Sequence, residues 1–419
     1  MTADSTIPEI PLPDLKVVEE MQMGIVTGLA EIQKEKAAGT PVVWCSVLTP
    51  KEILNSMDVP CVYGNVLGAY ASIFGSSGKY CQVAEDDGLS RDVCSVNRCQ
   101  VGVALCDDRD AFFENAFVVP DLAIGSNFPC TSESKAFLHV AARYNCPYYV
   151  IDTPINTWGR DIPDHAVEYC ARELEGMIRF LEKHGFKFDM DRLKQEVAFT
   201  RALNTVMGEI EVLKRAIPMP MRAFDTVIAM TAPLALAREA RKLGLFERLR
   251  DELRGRVERG YGVVENERLR LMWVGLPPLY DFTLLNYPEK HGAVIPKSML
   301  EFLVGFTMDP DLMDPDRPLE SIARAQLASP ANPAYASAVE YFVRAARDYR
   351  VDGVVGVVMR SCGLVPGLQR LAKEAIQDAT GVPVAILDLD GADQRDYDPG
   401  SIKAHLDSFI ETLLARKDG

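Results

Sequence analysis

The chain has 419 residues, 48% of them hydrophobic and 25% charged, with a net charge of −15. That length exceeds one ordinary core and predicts two or three domains. The acidic balance excludes a nucleic-acid binder, which needs a basic surface, and no run of about 18 apolar residues offers a membrane span.

Residues 1–40 read as an N-terminal arm and helix. The opening MTADSTIPEIPLPDLK lacks the basic-then-apolar order of a secretory signal, so it is expected to be a Pro-rich arm against a neighbouring subunit. Ten cysteines without such a signal point to reduced thiols in the cytoplasm rather than a disulfide framework.

Residues 41–160 alternate strand and helix signals. Strands are predicted at Pro41–Leu48, Leu122–Ser126 and Pro147–Asp152, with helices near Pro50–Met57, Arg91–Leu105 and Ser132–Tyr144. Residues 161–262 turn helical: Val167, Leu174, Ile178 and Leu181 recur at helical spacing, and Pro218 and Pro220 break the run. Residues 263–419 return to alternation. Arg268–Val274, Val351–Met359 and Val382–Leu389 read as buried parallel strands, followed by helices at Gly367–Ala379 and Ser401–Leu414. The pattern predicts an α/β fold of two parallel-sheet (Rossmann/flavodoxin-like) domains joined by a helical segment, with a hint of pseudo-symmetry.

Three cysteines stand apart. Cys94 follows the turn Asp86-Asp87-Gly88, Cys130 precedes Thr131 and Ser132, and Cys362 follows a strand end; each lies where a loop enters a helix. Helix N-termini favour thiolates and anionic clusters, and ligands collect at the carboxyl ends of parallel strands. The three could meet across a domain interface and hold a metal cluster. No CxxC spacing exists, so three buried thiols at helix starts is the alternative reading. Cys45, Cys61, Cys146 and Cys170 read as core thiols. Only five histidines occur, which disfavours zinc.

SRDVCSVNRCQVG (Ser90–Gly102), GSNFPCTSESKAF (Gly125–Phe137), CPYYVIDTP (Cys146–Pro154) and DGVVGVVMRSCG (Asp352–Gly363) resemble, in order and separation, the 2-hydroxyacyl-CoA dehydratase and benzoyl-CoA reductase family. The closing DLDGADQRDYDPGSIKAHLDSFIE (Asp388–Glu411) does too, and the arrangement is most similar to the B-type, substrate-binding subunit. The resemblance implies a [4Fe–4S] cluster on Cys94, Cys130 and Cys362. Some family members add a fourth cysteine upstream of the last one; here none lies between Cys170 and Cys362, which implies an open iron position.

The same resemblance implies an ATP-hydrolysing activator that delivers a low-potential electron, an acyl-CoA substrate passing through a ketyl radical or a reduced aromatic ring, and a homologous second subunit or a homodimer. A double cubane ([8Fe–9S]) that reduces small molecules, or a non-catalytic electron-relay subunit, are the rival readings. By the same likeness, CSVLTPKEI (Cys45–Ile53) leads a strand into a helix beside the substrate. Thr49 or Ser46 is then expected to bond the thioester oxygen and Glu52 to act as a base; a plain helix-dipole partner is the bland role for Glu52. Arg360 and Ser361 are expected to donate hydrogen bonds to cluster sulfurs, against the bland reading of a solvated Arg at a strand end. The aromatics of WVGLPPLYDF (Trp273–Phe282) read as core in preference to pocket lining.

Overall fold

A computed structural model describes residues 14–235, 239–299, 301, 309–329, 331–332 and 335–418; the Pro-rich arm before residue 14 lies outside the described residues. Two four-stranded, all-parallel sheets organise the chain. The first comprises β1 (Val43–Cys45), β2 (Cys61–Tyr63), β3 (Leu122–Ser126) and β4 (Tyr148–Ile151), in the order β2-β1-β3-β4. The second comprises β5 (Leu269–Val274), β6 (Ala293–Ser298), β7 (Gly353–Met359) and β8 (Val384–Leu389), in the order β6-β5-β7-β8. The same strand order recurs in both sheets, which gives the suspected pseudo-symmetry a concrete form.

Burial explains the strand composition. Both inner strands of the second sheet are apolar along nearly their whole length because helices cover both faces. Edge strand β8 instead alternates from Ile386 to Leu389. Strand β6 escaped the sequence reading, since AVIPKS carries a proline. Its place at the sheet edge, with the register slipping between Arg270 and Met272, is where a strand tolerates a missing donor. Strand β1 is shorter than predicted: after Cys45 the chain turns, and Thr49 N–H donates to Ser46 O at 3.0 Å.

Between the sheets run the helices Asp164–Lys183, Met190–Lys214, Ala223–Ala235 and Glu239–Glu258. Val167, Leu174, Ile178 and Leu181 are buried against the first sheet, as their spacing required. Trp273, Leu279, Tyr280 and Phe282 are buried, three of them in the core beneath the second sheet, so that segment is packing. Among the described residues no helix is long and apolar enough to cross a membrane.

Candidate active site

Parallel strands deliver their following residues to one edge of each sheet, and this edge collects the chemistry. Ser46 follows β1, Cys130 follows β3 by four residues, Cys362 follows β7 by three, and Asp390 follows β8. Cys94 arrives differently, as the N-cap of the helix Ser95–Leu105; Cys130 likewise caps Thr131–Tyr144. Cys362 lies just before the helix Val365–Thr380, and its sulfur accepts the Val365 N–H at 3.4 Å. All three sit at helix starts, where exposed N–H groups favour negative charge.

The structure brings these three thiols together. Burial pushes the Cys94 thiol far up, and Cys362 and Cys130 push it further by repulsion, while the Val96 and Asn97 N–H groups pull it down. Cys130 is pushed up to about 11 by burial, then by Glu133 and, after the Glu133 N–H pulls the other way, by Cys362. Repulsion of this kind acts between neighbouring groups, so the three thiols lie near one another. Each residue retains some exposed surface, so the site reaches solvent.

Among the described residues no three His, Cys, Asp or Glu side chains converge on a single ion. Ligands of a cubane bind three different irons and stand further apart than ligands of one ion. Soft thiolates held at helix N-termini are a donor set that fits an iron–sulfur cluster.

The other candidates separate. Ser46 is fully buried; its Oγ accepts the Leu48 N–H at 3.1 Å and its hydroxyl holds the Glu133 carboxylate. Thr49 is buried, and its Oγ1 meets no hydrogen-bond partner; the Cys45 sulfur, a weak acceptor, is its polar neighbour. Glu52 faces the long helix Met190–Lys214, where Thr200 Oγ1 donates to its Oε1 at 2.7 Å. Arg360 lies on the surface with Nε on Asp388 at 2.8 Å, so its guanidinium is turned to a carboxylate. Ser361 is buried, donating to Asp390 Oδ2 at 2.6 Å.

Two groups escaped the sequence reading. Glu133, three residues past Cys130, is buried; desolvation raises it to about 7, against hydrogen bonds from Ser46 and from Asn65 at 2.5 Å. Its position in the first helical turn was visible, but its partners come from distant loops. The second is the loop after β8. Arg98, 1% exposed, joins Glu85 and, at 3.0 Å, Asp393; Arg395 pairs with both carboxylates. Asp393 is thereby held down at about 2 despite its burial. The acidic run DLDGADQRD, with one arginine set among its aspartates, was the available signal.

Against known proteins, the profile described as "2-hydroxyglutaryl-CoA dehydratase, D-component" matches residues 46–413. The chain is 22% identical to the (R)-phenyllactyl-CoA dehydratase alpha subunit of Clostridium sporogenes over 387 residues, covering 91% of this chain and 92% of that one. It is 25% identical to the lactoyl-CoA dehydratase alpha subunit of Anaerotignum propionicum, covering 92% and 93%. It is 26% identical to the B-type subunit of the benzoyl-CoA reductase of Thauera aromatica, covering 82% of each.

Proposed function

Since this chain belongs to the 2-hydroxyglutaryl-CoA dehydratase, D-component family, we propose that it is the cluster-bearing subunit of an enzyme acting on an acyl-CoA thioester. The reaction is either dehydration of a 2-hydroxyacyl-CoA or reduction of a benzoyl-CoA-type ring, in line with the names of its relatives. The observation that carries this reading is the meeting of Cys94, Cys130 and Cys362, from three separate segments, at three helix starts. Cys94, Cys130 and Cys362 would hold a [4Fe–4S] cluster, which would relay a low-potential electron and act as a Lewis acid on a substrate oxygen.

The chain's own residues do the rest. Thr49 carries a buried hydroxyl with unused hydrogen-bonding capacity, which suits it to a thioester oxygen. Glu52, oriented by Thr200, is the assigned base. Ser46 is committed to Glu133 and orients that carboxyl beside Cys130. The relatives are named as single subunits of larger enzymes, which supports a partner: a homologous subunit or a second copy of this chain. The reading also requires an ATP-hydrolysing activator as electron donor, and ten free thiols suit a reducing cytoplasm.

Anaerobic reconstitution with iron and sulfide tests it. About four irons per chain, with a visible spectrum that changes on adding acyl-CoA, is the expected result. About eight irons would favour a double cubane, and a spectrum indifferent to every acyl-CoA would favour an electron relay. A chain that retains no iron overturns the reading.

A further inference from the structure

One carboxylate ties together residues beside two of the three cysteines. Asp390 Oδ2 accepts from Ser361 Oγ at 2.6 Å, and Oδ1 accepts a short hydrogen bond from Ser95 Oγ. The Ala392 and Asp393 N–H groups also donate to Oδ1, each at 3.0 Å. Ser361 Oγ in turn accepts the Ser95 N–H at 3.1 Å, across 266 residues of chain. Ser95 directly follows Cys94 and Ser361 directly precedes Cys362. Both serines are buried.

Around this knot the same loop docks on the helices beside the first sheet. Ser72 Oγ donates to Ala392 O at 2.8 Å, and Gln394 Nε2 donates to Gly75 O at 2.7 Å. From the second half, Tyr280 OH holds Asp390 O at 2.8 Å. The Cys94 and Cys362 loops have no covalent link nearer than their 268-residue separation, so their spacing depends on tertiary contacts, and Asp390 sits at the centre of these.

Resting on the cluster reading above, we propose that Asp390 is the positioning residue of the cluster site. It sets the spacing of Cys94 and Cys362 across the junction of the two sheets. It also accepts the hydroxyl hydrogen bonds of Ser95 and Ser361, so neither hydroxyl donates to a neighbouring thiolate. Hydrogen bonds to cluster sulfurs raise reduction potential, so a carboxylate that withholds two of them favours a low one.

Full-length wild-type, Asp390→Ala and Asp390→Asn chains, reconstituted anaerobically, test this. Asp390→Ala is expected to lower cluster affinity about 10- to 100-fold in competition with a ferrous chelator, with the circular dichroism of the cluster-free chain unchanged. Asp390→Asn keeps one acceptor oxygen and is expected to restore iron content while shifting the potential upward, because its amide cannot accept the Ser361 hydrogen bond. Wild-type affinity and potential in both variants would overturn the inference and leave the cluster reading intact. Equal loss of cluster-free thermal stability in both, with no change of potential, would reduce Asp390 to a structural contact and overturn it too. A wild-type chain that takes up no iron removes both.

Discussion

Gly102 offers a sharp test of how the Cys94 helix is held. It lies on Ser95–Leu105 facing the helix Ser77–Asp86, and a Cβ there would stand 1.9 Å from Tyr80 O and 2.5 Å from Tyr80 C. Real Cβ contacts stay above 3.0 Å, so Gly102→Ala must part the two helices by roughly an ångström. The obstacle is backbone, which cannot rotate away. Parting them opens the core of Tyr80, Cys81, Cys99, Val103 and Phe113. Overpacking typically costs about 1–3 kcal/mol, and an unyielding neighbour puts this site at the upper end. Alanine returns about 1 kcal/mol of helix propensity, leaving a net loss of about 2 kcal/mol. Gly208, on the helix Met190–Lys214, meets nothing within 4 Å, so Gly208→Ala should gain about 0.5–1 kcal/mol. Urea unfolding of the cluster-free chain, followed by tryptophan fluorescence, measures both. Because Gly102→Ala also displaces the Cys94 helix, its iron uptake should fall while that of Gly208→Ala does not. Equal effects of the two substitutions would refute the close-packing argument.

Replacing any of Cys94, Cys130 or Cys362 with Ser should abolish iron retention, whereas Cys61→Ser and Cys146→Ser should keep it; iron and sulfide analysis decides. Thr49→Val removes a buried, unpartnered hydroxyl, so it should leave the cluster-free chain as stable or about 1 kcal/mol more stable, while turnover falls roughly tenfold. Glu52→Gln should lower turnover about 10²–10⁴-fold if that carboxylate moves a proton, and unaltered steady-state rates at full iron content would remove it from the chemistry. Asp225, fully buried, is raised from its ordinary 3.8 to about 6, chiefly by desolvation and further by Asp14. A raised carboxyl gives stability that is present below about pH 4 and lost as pH climbs through about 6, a difference of about 3 kcal/mol. Asp225→Asn still accepts the Asp14 N–H, so it should match wild type near pH 4 and exceed it at about pH 8 in urea unfolding.

What the sequence alone determined is whatever local periodicity encodes. Apolar β-branched runs such as Gly353–Met359 gave buried parallel strands, and the stripe from Val167 to Leu181 gave a buried helix face, because spacing decides which side of an element leaves water. The helix-start context of Cys94, Cys130 and Cys362 was equally local, since turn and cap residues announce where a helix begins. Strand β6 was lost because a proline inside a short strand is tolerated only at an edge, and edge position is a tertiary fact. Only the folded chain decided that these three thiols lie near one another and that Glu52 turns to Thr200. It alone turned Arg360 to Asp388 and buried Glu133 between Ser46 and Asn65. Asp390 belongs with them: its partner Ser95 lies 295 residues away, and no local pattern carries that information. Periodicity tells a residue which way to face; the neighbour it meets there comes from packing elements that lie far apart in the chain.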